Sequence, residues 1–163
     1  MSLKEKYWKF LVQVRASLEY LDIYYEKSFK WDRAINIFLA ISTSASIGSW
    51  IIWKELSVLW AIIIAVSQVI STLKSFLPFR VRISYIPSFS KELNELFTKC
   101  EKEWFYVSND SLTEEQINTL LYEFKTIYTA VNTGLIKCKS LPVKPRYCAL
   151  AGRNAESYFK NFY

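Results

Sequence analysis

The sequence predicts an all-α membrane protein: a long N-terminal helix, a two-helix transmembrane hairpin and a helical cytoplasmic C-terminal region. Three observations carry this reading. Residues 34–53 and 56–73 are charge-free runs of 20 and 18 residues. As helices they reach about 30 and about 27 Å, close to a hydrocarbon core of roughly 30 Å. Basic residues crowd the outer flanks of this pair and nearly vanish between its members, and the rest of the chain repeats apolar residues at helical spacing. The expected organisation is an N-terminal cytoplasmic amphipathic helix over 1–33, the hairpin over 34–73 with spans 34–53 and 56–73, and a cytoplasmic helical region over 74–163.

Bulk composition hides the pattern. Mean hydropathy over the 163 residues is only +0.08 and 22% of them are charged, so the apolar content must be concentrated to cross lipid. Two adjacent helices that are apolar on every side have little use in a soluble chain of this size. Net charge is +6, and its placement orients the hairpin. Arg15, Lys27, Lys30 and Arg33 precede the first run; Lys74, Arg80, Arg82 and Lys91 follow the second; only Lys54, beside Glu55, lies between. Both flanks are therefore expected to be cytoplasmic, with the connection facing out. No apolar core or small-residue cleavage site precedes residue 34, so no signal peptide is expected.

Residues 2–32 read as a helix whose Tyr7, Leu11, Val14, Leu18, Leu21 and Tyr25 form a heptad stripe. Either this stripe packs against the C-terminal helices of the same chain, or it is a self-association stripe that forms a coiled coil. No Gly or Pro occurs from Ser2 to Ile47, so the helix is expected to run into the first span. There Ala40, Ser44 and Gly48 repeat every four residues, a small-residue stripe that admits a close helix neighbour. Ala61 and Ala65 continue the theme on the second span, in line with Gln68 and Thr72. Ser42, Ser46, Ser49, Gln68 and Thr72 make a polar seam, and an amide in lipid seeks a partner or a wet cavity. These features either hold the hairpin together or join copies of it. Trp50, Trp53 and Trp60 suit an aromatic belt near the outward turn. Lys54-Glu55 lacks turn chemistry, so Gly48-Ser49 is expected to begin the break.

Pro78 is expected to close the second helix. Phe79–Ile86 alternates apolar and polar residues up to Pro87 and reads as an extended connection. A helix from Ser88 or Ser90 to about Val107 and a loop over 108–111 follow. The next helix opens at Thr113, where Gln116 completes a capping box, and ends near Gly134. After a Pro-punctuated linker, 141–145, a short amphipathic helix presents Tyr147, Leu150, Tyr158 and Phe162.

Nothing in the sequence assembles a catalytic site. There is no histidine and there are only three glycines, which removes the commonest base and any phosphate-cradling loop. Cys100, Cys138 and Cys148 lack metal-ligand spacing. No enzyme activity, cofactor or metal is expected. Lys30, Arg33, Lys74, Arg80 and Arg82 are placed to meet lipid headgroups or a partner. Lys137, Lys139, Lys144, Arg146 and Arg153 form a basic cluster without an acidic neighbour, a candidate partner or nucleic-acid surface.

This order of parts, mainly over residues 27–104, resembles the two-transmembrane SLATT-type effectors of bacterial anti-phage systems of the CBASS and retron kinds. The resemblance lies in layout and has no diagnostic motif. It implies a membrane-perturbing or pore-forming toxic effector at the bacterial inner membrane, acting in abortive infection. Such an effector would be a homo-oligomer when active and would be held inactive by a partner such as a reverse transcriptase with its nucleic acid, or a nucleotide-signalling component. A non-toxic membrane scaffold or accessory subunit that docks a cytoplasmic complex is the alternative.

Overall fold

The computed structural model describes the backbone of residues 2–52, 57–74, 76, 79–137 and 141–162, and of these the side chains except 44–52, 57, 79–80 and 136–137. The chain is all-helical: α1 Leu3–Ile52, α2 Ser57–Lys74, α3 Phe79–Ser108, α4 Glu114–Lys137 and α5 Pro145–Phe162, with no strand among the described residues.

Caps explain where several helices begin. Ser2 and Glu5 form a reciprocal box, Glu5 N donating to Ser2 Oγ and Ser2 N to Glu5 Oε2, both at 3.2 Å. Thr113 and Gln116 repeat it at the start of α4, at 2.8 and 3.3 Å. Pro145 opens α5 from the first helical position, where its missing N–H costs nothing. Between α3 and α4, Asp110 takes a φ of 56°, a conformation that Asp tolerates better than most residues.

Two compact units result, Met1–Glu26 with Ser84–Tyr163, and Lys27–Ile83. The first has a conventional core. Tyr7, Leu11, Val14, Leu18 and Leu21 of α1 are buried with Leu93, Leu96 and Cys100 of α3 and Leu121 and Phe124 of α4. Tyr7 ties the layers together, donating from its hydroxyl to the carbonyl of Cys100 at 2.9 Å, with its ring 6.0 Å from that of Trp104. The heptad stripe is thus buried inside its own chain, with only Tyr25 half-buried. Of its two readings, the intramolecular one is the packing that the described core shows.

Three expectations need correction. Residues 79–86 are helical, because α3 starts at Phe79 and carries Pro87 in its interior. Ile86, Leu93, Leu96, Phe97 and Cys100 are all buried, so one helical stripe continues through the proline and outweighs its local penalty. Helix α4 passes Gly134 and ends at Lys137. There the glycine makes room for a neighbour rather than a stop, since a Cβ would sit 2.9 Å from Phe89 Cε1. On α5 the buried residues are Ala151, Ala155 and Phe159, while Leu150 and Phe162 are exposed. Small side chains let that helix approach closely.

Candidate functional site

The unit Lys27–Ile83 combines the second half of α1 with α2. On α1 the residues withdrawn from solvent are Ser28, Asp32, Ile35, Asn36, Leu39 and Ser42, a heptad-like progression that defines one face. On α2 they are Trp60, Ile63, Ile64, Ser67, Ile70 and Lys74. The contact is pinned where α2 ends: Lys74 Nζ donates to Asn36 Oδ1, and Asn36 Nδ2 donates to Asp32 Oδ2 at 2.9 Å.

Burial in this unit is inverted. All 22 buried apolar residues of the described chain belong to the other unit. Among the described residues of Lys27–Ile83 the fully buried ones are Ser28, Ser42 and Ser67. Thirteen large apolar side chains of the same unit are exposed, among them Trp31, Ile41, Val58, Ile62, Val69 and Phe76. Water is a poor solvent for apolar side chains exposed in this number on one unit.

Four hydroxyls on this hairpin need no water. Ser42 Oγ donates to the Phe38 carbonyl at 2.9 Å, Thr43 Oγ1 to that of Leu39 at 2.9 Å, Ser67 Oγ to that of Ile64 at 2.8 Å and Thr72 Oγ1 to that of Gln68 at 3.0 Å. Each is satisfied by its own helix, which is how hydroxyls are accommodated in an apolar medium. The Gln68 carboxamide is different: it is exposed and has no hydrogen-bond partner among the described residues.

The residues singled out from the sequence fall into three groups. Ala61, Ala65, Gln68 and Thr72 do share a face of α2, but it is the exposed one, about 100° round the helix from the packed face. Ala40 is likewise exposed, whereas Ser42 is buried. The side chains of Ser44, Ser46 and Ser49 and the surroundings of Gly48 lie outside the described residues, as do Lys54-Glu55, Pro78 and the side chain of Arg80. The backbone of α1 is helical through Ile52, so Gly48-Ser49 does not begin the break. Lys30 and Arg33 are exposed, and Lys74 and Arg82 are half-buried.

The basic cluster is described only in part: Lys144, Arg146 and Arg153 are exposed, and the side chains of Lys137 and Lys139 are outside the described residues. Lys144 is held locally, its Nζ lying 5.0 Å from the centre of the Tyr147 ring. Sequence reasoning missed Asp32, Asn36 and Ser67. The only signal for Ser67 was that it completes a helical stripe with Trp60 and Lys74 rather than with the alanines.

Among the described residues, no group of His, Cys, Asp or Glu is placed to hold a metal ion. Over those same residues no helix is long and apolar enough to cross a membrane; the described side chains of the two charge-free runs stop at Thr43 and resume at Val58. Comparison with protein-family models, curated proteins and solved structures gave no match to the chain.

Proposed function

We propose that residues 27–83 sit in a lipid bilayer and associate with further copies of themselves to make it leak, as a toxic effector of bacterial abortive infection would once released from an inhibitory partner. The observation that carries the membrane part is the inverted burial: thirteen large apolar side chains outside, three serines inside. Moving such half-exposed side chains from water into hydrocarbon is worth roughly 1 kcal/mol each, on the order of 10 kcal/mol together. The self-association part rests on the exposed Ala61, Ala65, Gln68 and Thr72 face. In lipid this face sets two small residues for close approach beside an amide that needs a partner. A membrane scaffold is the second reading. It draws on the size of the other unit, which carries the conventional core and can dock a complex.

The deciding experiment expresses the full chain alone in bacteria and follows membrane potential and fractionation. The expected result is membrane-bound protein with collapse of the potential, and Gln68→Leu should restore the potential by an order of magnitude in dose while leaving insertion intact. Normal potential at clear membrane expression removes the effector reading and keeps the scaffold. Recovery in the soluble fraction removes both.

A further inference from the structure

The aromatic-rich unit contains a cleft of about 530 Å³ between α1, α4 and α5, closed on one side by residues 141–144. Its walls are mostly aliphatic, from Leu21, Leu93, Leu135, Leu141 and Val143. The strap that supplies the last two is fastened by a single phenol. Tyr20 Oη donates to the Pro142 carbonyl at 2.6 Å and accepts from Lys144 N at 3.2 Å.

Three features define what this cleft suits. Its volume lies in the range of small-molecule sites. Among the described residues no charged side chain lines it, so an ionic ligand would lose hydration there without a compensating partner. Two carboxamides, Gln13 of α1 and Asn132 of α4, line it and have no hydrogen-bond partner among the described residues. The remaining polar pair, Ser17 Oγ and Tyr128 Oη, is already joined at 2.8 Å. A carboxamide offers one acceptor and two donors, and its best neutral complement is another amide edge.

We propose that the cleft is a binding site for a neutral aliphatic small molecule bearing a carboxamide or lactam edge, the chain lying along the leucines and the edge meeting Gln13 and Asn132. The site is independent of the hairpin and of any effect on lipid.

Cys148 provides the readout, because it lines the cleft and is exposed, while Cys100 is buried. The full chain carrying Cys138→Ser, reconstituted with phosphatidylcholine, is treated with N-ethylmaleimide in the presence of octanamide, octanoate or octylammonium. Occupancy by octanamide should slow labelling of Cys148 at least about fivefold at saturation, since the rate scales with the unoccupied fraction. The two charged analogues should leave the rate unchanged at the same concentration. Asn132→Leu and Gln13→Leu, each at a position not required by the core, should each remove the protection while the helical circular dichroism stays as in the parent. Equal protection by all three probes, protection by none, or protection that survives both substitutions overturns the proposal.

Discussion

Cys100 and Cys148 are the same side chain in opposite surroundings. Cys100 is fully buried on α3, and burial pushes its thiol from 9.0 up to about 12, because a thiolate there would lose its hydration. The buried Tyr7 phenol is pushed up for the same reason. Both groups are protonated in the folded chain at neutral pH, so they contribute nothing to its pH dependence there. Above about pH 9 the thiol of the unfolded chain ionises while the folded one does not, and each proton released favours unfolding. The Cys100 contribution to stability should therefore be level up to about pH 9 and fall between pH 9 and 12. Chemical unfolding followed across that range should give a shallower alkaline decline for Cys100→Ala than for the parent, whatever the change in absolute stability. Parallel declines would show that Cys100 titrates alike in both states. The Tyr7 contribution has the same sign, and the part of it that comes from the neighbouring Cys100 is lost with that residue, which adds to the shallower decline.

At the scale of an element, α3 departs most from its sequence. Pro87 removes the bond that a residue N–H would make to the Ile83 carbonyl and crowds that carbonyl with its ring, yet the helix continues through it. Pro87 itself is exposed, so its removal disturbs no core packing. Pro87→Ala should stabilise the unit by roughly 1–3 kcal/mol, the difference in helix propensity less what the fold already absorbs, and should slow amide exchange over residues 83–91. A destabilised variant would mean that α3 packs correctly only with a bend at this point. The same helix shows what was legible. Caps at Thr113 and Gln116, the stripe from Leu93 to Cys100 and the stripe from Tyr7 to Leu21 are local patterns, and local patterns read directly. The segment before Pro87 did not read so, because alternation over eight residues fits a strand locally, and only the long-range burial of Ile86 decides otherwise. On α2 the spacing puts Ala61, Ala65, Gln68 and Thr72 on one face, but nothing local says which of two neighbouring faces meets α1. That choice follows from Ser67 and the Lys74–Asn36 bond, a contact between residues 38 positions apart.

At the scale of the whole molecule, one chain holds two units with opposite rules of burial. Among the described residues, 1–26 and 84–163 bury aromatic and aliphatic side chains fully, whereas in 27–83 only serines are fully buried and the apolar residues of the packed face are half-buried. If the medium around the second unit is lipid, the first should not need it. The two ends left by removing 27–83 lie close to each other: Ser90 Oγ donates to Asp22 Oδ1 at 2.8 Å, and positions 26 and 84 are only about one and two turns along from these residues. A flexible Gly/Ser linker of about eight residues spans on the order of 15 Å, enough to join residue 26 to residue 84 without strain. The joined chain retains Tyr7, Leu11, Leu96, Cys100, Leu121 and Phe124, all central to the core. It should be soluble without detergent, sediment as a monomer, and unfold in one cooperative transition, whereas the full chain should require detergent for extraction. A joined chain that aggregates, or melts without cooperativity although its helices form, would show that the first unit depends on the hairpin for its fold. A full chain that is soluble and monomeric without detergent would instead remove lipid as the medium that the inverted surface of residues 27–83 was read to need.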